Sequence, residues 1–137
     1  MTTTQRTRAF IVPIENKPGK LGELTRAVAG ANVNITGIDL LPNGGHEVSV
    51  RLLVSDPVKM EQTLHQKGIQ FQSFDVLSVR MPNRPGSIAE ISERLGKAGL
   101  DIESVYGYTG HGSTPAAECE FVLQTRDITQ AEQVLRA

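Results

Sequence analysis

Asn16-Lys17-Pro18-Gly19-Lys20-Leu21 is a run whose residue types suit the binding of an anion, and the chain carries it twice. Asn83-Arg84-Pro85-Gly86-Ser87-Ile88 repeats it 67 residues later as Asn, a base, Pro, Gly, a polar residue and an aliphatic. Each copy reads as the end of a strand turning into a helix. Pro is tolerated in the first helical turn, where its missing N–H costs nothing. Asn just upstream can cap the amides that a helix start leaves without partners. Gly has no Cβ, so a ligand can come close to those amides. Exposed N–H groups at a helix start attract carboxylates. The same residues also make ordinary strand-to-helix turns, and a duplicated fold duplicates its turns.

Other reactive residues form no constellation. His46 and His111 sit in or beside glycine-rich loops, and His65 lies on a helix with Glu61 one turn away. None has metal-ligand spacing to a second His or Cys. Cys119 occupies a core position on a strand with no base beside it, so it reads as packing rather than as a nucleophile. Glu118 and Glu120 flank it and point away from the core. No Ser-His-Asp order, phosphate loop or CxxC pair is present. No catalytic residue, metal or cofactor is therefore assigned, and the chain is read as not an enzyme.

The elements that position the two turns recur with them. Phe10, Val12 and Ile14 alternate on one face of a strand over Ala9 to Ile14, and Leu77, Val79 and Met81 do so over Val76 to Met81. After each turn comes the apolar stripe of a helix lying on a sheet: Leu21, Leu24, Val28 and Ala31, then Ile88, Ile91, Leu95 and Ala98. A second strand follows in each copy. Its alternation slips at the same point, which predicts a β-bulge near Thr36-Gly37 and near Glu103-Ser104 and makes this strand a candidate edge. Pro42-Asn43-Gly44-Gly45 is a hairpin turn by composition. The matching connection, Gly107 to Ser113, is longer, and the repeat offset grows from 67 to 71. Val48, Val50 and Leu52 then fall on Cys119, Phe121 and Leu123. Asp56-Pro57 opens a second helix, and Asp127 matches Asp56. Ile69 to Phe74 reads as a short fourth strand, which the second copy lacks because the sequence stops at Ala137.

Each half thus reads β-α-β-β-α-β, an α+β, ferredoxin-like unit with an antiparallel sheet and its helices on one face, the second repeat lacking its last strand. The domains are 1–74 and 75–137. Strand one of the second repeat is left at a bare edge, which residues 1–8 or a partner subunit must cover.

Composition bounds the partners. With 39% hydrophobic and 21% charged residues, the chain is globular. A net charge of −1, 4% aromatics and no basic block argue against nucleic acid. One cysteine allows no intrachain disulfide and fits a reducing compartment. The polar N-terminus lacks a signal peptide's apolar region, and no apolar stretch spans a membrane. A cytoplasmic location is expected.

Asn-Lys-Pro-Gly-Lys-Leu, a helix ending in Ala-Gly-Ala-Asn and then Val-Asn-Ile resembles the opening of an ACT domain. Asn83-Arg-Pro-Gly-Ser-Ile with Lys97-Ala-Gly-Leu-Asp-Ile102 resembles it again, so the chain looks like a stand-alone tandem ACT protein. The resemblance implies units that join at the second-strand edges, with small effectors, usually amino acids, bound in the seam between units. By resemblance to the regulatory domain of phosphoglycerate dehydrogenase, Asn16 and Asn34 contact the effector, as do Asn83 and Asp101 in the second half. Asp101 is a departure, since it repels a carboxylate but can take an ammonium group. The implied ligand-binding set is Asn16, Pro18, Gly19, Lys20, Leu21, Asn34 and Ile35, with Asn83, Pro85, Gly86, Ser87, Ile88, Asp101 and Ile102. Amides of Gly19, Lys20 and Leu21, and of Gly86, Ser87 and Ile88, suit the carboxylate. Oxygens of Asn34 and Asp101 suit the ammonium, or else bond to turn backbone. Two functions follow from this. One is an amino-acid-binding allosteric regulator, expected as a homodimer and acting through assembly or a partner enzyme. The other is a regulatory or assembly subunit that works by protein–protein contact without a small ligand.

Overall fold

Alternating apolar residues make the first strand, but β1 (Thr3–Glu15) runs further than Ala9 to Ile14. The computed structural model describes residues 2–109 and 117–136. It divides into two compact units: the first is Arg8–Phe74, and the second joins Met1–Thr7 to Asp75–Ala137. The first seven residues, counted with domain 1–74 in the sequence, thus belong with the second repeat.

In the first unit β1 leads to α1 (Lys20–Gly30), β2 (Ile35–Pro42), β3 (Glu47–Val54) and α2 (Pro57–Gln66). The strands lie in the order β2-β3-β1, all antiparallel, with Ile14 opposite Val48 and Leu40 opposite Val50. Phe10, Val12, Val50, Leu52, Leu24, Val28, Met60 and Leu64 form its core, against which Leu21 and Ala31 pack. The expected bulge is present: the register shifts between Ile35 and Gly37. Asp56 caps α2, its carboxylate accepting the Lys59 N–H at 3.0 Å.

The second unit repeats this plan with β4 (Gln72–Pro82), α3 (Ser87–Lys97), β5 (Ser104–Thr109), β6 (Glu118–Gln124) and α4 (Ile128–Arg136). Met81 faces Cys119 as Ile14 faces Val48, which confirms the offsets of 67 and 71 in register. Cys119 is buried among Met81, Ile91 and Leu95, and burial raises its thiol pKa. The Asp127 carboxylate accepts the Gln130 N–H at 3.0 Å, the counterpart of the Asp56 cap. Residues 110–116, including His111 and most of the longer connection, lie outside the described residues.

Several expectations need correcting. Ile69 to Phe74 and Val76 to Met81 are not two strands: one continuous strand starts at Gln72. Ile69 and Phe71 pack on the first core instead. Ile88 does not join the helix stripe inward but is 36% exposed, and Ser87 takes the buried position. The second bulge, by contrast, falls where expected: Glu103 donates its N–H to the Gln124 carbonyl at 2.7 Å while Ser104 pairs with the same Gln124, so two residues oppose one.

The bare edge of the second repeat is covered by the chain's own start. β1 neighbours β4, and its residues up to Thr7 group with the second unit. Arg6 there donates to Thr129 at 3.2 Å and reaches Glu132 at 3.5 Å, while Arg136 meets the Thr4 hydroxyl at 3.4 Å. An unpaired strand edge exposes a row of donors and acceptors, so filling the slot gives the β4 backbone partners on that side.

Candidate functional site

Gly19 and Gly86 are the N-caps of α1 and α3, with φ of 90° and 92°. That left-handed conformation favours glycine and explains why both copies keep it. Neither helix start has a side-chain cap. The expected Asn caps are therefore replaced by another role. Asn16 donates its backbone N–H to the His46 carbonyl at 2.7 Å, and Asn83 does the same to Ala117 at 2.9 Å, pinning each turn to the facing hairpin. Of the amides expected to receive a carboxylate, those of Lys20 and Ser87 are already committed to Lys17 and Arg84 carbonyls, at 3.2 Å each. Amides deeper in the uncapped first turn, such as those of Leu21 and Ile88, are better placed for an anion.

A small cavity lies beside each helix start, at matching positions. In the first unit it measures about 240 Å³ and is lined by Ile14, Glu15, Lys20, Glu23 and Leu24. In the second it measures about 230 Å³ and is lined by Met81, Pro82, Ser87, Glu90 and Ile91. Each has the volume of roughly eight waters. The remaining wall differs, being Val12, Pro13 and Ile69 in the first and Thr2 and Arg84 in the second. Lys20 pairs with Glu23 at 3.5 Å, and Ser87 donates its hydroxyl to the Pro82 carbonyl at 2.6 Å. Arg84 approaches Glu90 at 3.7 Å. Pro18, Gly19, Pro85 and Gly86 are exposed around the turns.

Asn34 and Asp101 sit elsewhere. Asn34 is exposed; its N–H donates to the Ser55 hydroxyl at 3.0 Å, and its carbonyl accepts the Ser55 N–H at 2.9 Å. Asn16 is tethered before β3 begins and Asn34 after it ends, so roughly 25–30 Å of strand separates them. Within one unit, no small ligand touches both. The Asp101 carboxylate is held at 2.8 Å by Arg126, an exposed pair. Ile35 and Ile102 are partly buried against their cores.

The sheet faces opposite the helices carry polar groups that the sequence did not single out. Arg51 is buried and bonds Asp39 through two nitrogens, at 2.8 and 2.6 Å. In the second unit Arg80, Glu120 and Tyr108 lie in one row across three strands. Arg80 reaches Glu120 at 2.9 Å, and the Tyr108 hydroxyl donates to it at 2.5 Å. Burial, then the Glu120 hydrogen bond and charge, push the Tyr108 phenol up to about 12, with Arg80 opposing. Among the described residues no cluster of His, Cys, Asp or Glu could hold a metal. No described helix is long and apolar enough to cross a membrane.

Fold and register define a class: a tandem of small ferredoxin-like α+β units with uncapped helix starts. Residues 76–137, the second repeat, match the family model described as ACT domain. A protein of known crystal structure from Bacteroides thetaiotaomicron matches at a TM-score of 0.85 and 25% identity, over 97% of this chain and 88% of its own. The ligand-free regulatory subunit of aspartate kinase from Thermus thermophilus matches at 0.68 and 14% identity, over 98% and 92%. That of Thermus flavus matches at 0.61 and 16%, over 98% and 92%. At the identities of the two kinase subunits, the likeness shows the fold alone. No curated protein matches the chain significantly in sequence.

Proposed function

We propose that this chain is a non-catalytic regulatory protein that binds an amino acid through its ACT units and acts by ligand-dependent assembly or on a partner enzyme. The observation that carries the reading is the matched pair of uncapped helix starts, each beside a small cavity. Amides of the first turn take the effector carboxylate. Asn16 and Asn83 orient the turns, with Pro18, Gly19, Lys20, Leu21, Pro85, Gly86, Ser87 and Ile88 shaping them. The ammonium needs a second donor set, and Asn34 lies too far away in the same unit. We therefore draw Asn34 and Ile35, or Asp101 and Ile102, from an ACT unit of another copy, which makes the active form a homodimer. β2 is an edge strand that leaves Ile38, Leu40 and Leu41 exposed by 45%, 45% and 39%, a surface suited to such pairing. A single buried cysteine suits the cytoplasm.

That apolar edge also favours a second reading, an assembly subunit that binds partners and no small ligand. Thermal-shift screening against the twenty amino acids separates the two. A ligand at 100 times its Kd adds about 2.7 kcal/mol of stability. Silence from all of them supports the assembly subunit. For a ligand that does bind, Asn16→Ala keeps the backbone bond to His46 and removes only the side-chain amide, which this reading sets against the ligand, so affinity weakens while unfolding is unchanged; equal affinity removes Asn16 from the site.

A further inference from the structure

The first unit contains a second cavity, of about 610 Å³, which shares Pro13 and Ile69 with the cavity beside the helix start but is lined by no residue of the Asn16–Leu21 turn. Its origin is local. Gly68, with φ of 66°, ends the turn after α2, and Ile69 to Phe71 then pass along β1 without joining a strand until Gln72. The Asn16-to-His46 bond fixes which β1 residues face β3: alternate residues from Asn16 bond to it, and those between turn their backbone groups to the other side. Ile11 and Pro13 belong to the second set. Pro13 has no N–H to pair there, so its edge leaves a gap where a full fourth strand would lie.

The walls are firmly placed. The Phe71 ring sits 5.9 Å from that of fully buried Phe10 and meets His65 edge-on, at 5.0 Å and 72°. Ile11, Pro13 and Ile69 give the cavity apolar surface, and Gln70, Gln72 and Ser49 give it polar groups. The Ser49 hydroxyl donates to the Asn43 side-chain oxygen at 2.9 Å, which leaves its own oxygen able to accept. Among the described residues no Lys, Arg, Asp or Glu lines it, although the Glu61 carboxylate lies 4.0 Å from the Nε2 of His65. The other repeat has charged residues at the matching positions: Arg80 for Pro13, Glu120 for Ser49 and Arg136 for His65. The two copies have diverged where this cavity opens, and the first has no fixed charge there.

An aromatic wall, two side-chain amides and no fixed charge suit one class of ligand. We propose that this cavity is a distinct binding site for a flat, uncharged heteroaromatic molecule, packed on Phe71 and His65 and read at its edge by Gln70 and Gln72. The site is distinct from that of the amino-acid reading, because apart from Pro13 and Ile69 its walls are its own and it uses no amide of either helix start.

The test is ligand-observed NMR with adenine and uracil as neutral probes and benzoate as a charged ring, followed by amide-shift mapping on the full chain. At least one neutral probe is expected to bind with a Kd below about 1 mM, shifting the Gln70 and Phe71 amides, and benzoate to bind more weakly. His65→Ala and Gln70→Ala, both at exposed positions that spare the core, should each weaken binding roughly fivefold or more. Asn16→Ala should leave it unchanged. The proposal is overturned if no neutral probe binds, if benzoate binds as well, if the shifts map elsewhere, or if both cavity variants bind like the parent. A negative amino-acid screen leaves it standing.

Discussion

Gly107 on β5 leaves no room for a side chain, and a single methyl tests the packing of the second unit. A Cβ there would lie 2.3 and 2.6 Å from Cδ1 and Cε1 of Phe121, its cross-strand partner, and 2.8 Å from the Glu120 carbonyl oxygen. Carbon atoms pack best at about 3.5–4.0 Å, so the ring must retreat by more than about 1 Å. It cannot do so freely. Phe121 packs against the second core, and the Glu120 side chain is tied to Arg80 and Tyr108. Overpacking of this kind costs about 1–3 kcal/mol, and the unfolded-state benefit of replacing Gly by Ala offsets only about 0.4–1 of it. Gly107→Ala should therefore lower the urea midpoint with an unchanged slope. Gly37→Ala is the control, because its Cβ would meet only the Leu53 side chain, tightly at Cδ1, 3.2 Å away, and in ordinary contact at Cβ and Cγ, 3.5 and 3.6 Å away. Phe121→Leu should relieve part of the Gly107→Ala penalty, giving a coupling of about 1 kcal/mol in a double-mutant cycle. A Gly107→Ala protein as stable as the parent, or strictly additive mutations, would refute the argument.

Three more outcomes follow from the same structure. Tyr108 should titrate near pH 12 while an ordinary tyrosine titrates near 10. Its folded pKa lies above its unfolded one, so its contribution to stability is complete below about pH 10 and is lost as pH rises towards 12. Ultraviolet titration reads this, and Glu120→Gln should lower the midpoint; no change would remove Glu120 as a cause. Deleting residues 1–7 takes away the Arg6 and Thr4 contacts and uncovers the β4 edge. The truncated chain should unfold at lower urea and self-associate on a sizing column, and a stable monomer would show that the edge needs no cover. Asp39→Asn removes the negative charge that the buried Arg51 guanidinium bonds through two nitrogens and should cost on the order of 3 kcal/mol in urea unfolding, whereas a loss under about 0.5 would mean that the other groups around Arg51 neutralise it.

Much of the fold is legible in the sequence because periodicity and punctuation are local signals. The helix stripes, the Asp56-Pro57 start, the bulge by Gly37 and the core place of Cys119 all follow from residues within a turn or a strand of each other. The helix starts were only half legible. Asn upstream of Pro-Gly suggested a side-chain cap, but a left-handed glycine took the N-cap position and Asn16 spent its backbone N–H on the hairpin. Spacing along the chain does not reveal that backbone bond, since its acceptor, the His46 carbonyl, lies thirty residues away.

The sequence alone determined that a single α+β unit occurs twice, with matched strand-helix turns. Local patterning suffices for that, because each strand and helix buries its own apolar face. Only the tertiary structure decided that the first residues of the chain complete the second repeat, that Asn16 and Asn34 stand at opposite ends of one sheet, and that Arg51 is buried against Asp39. Those facts depend on which distant backbone and side-chain groups find partners in three dimensions, and no spacing along the chain encodes them.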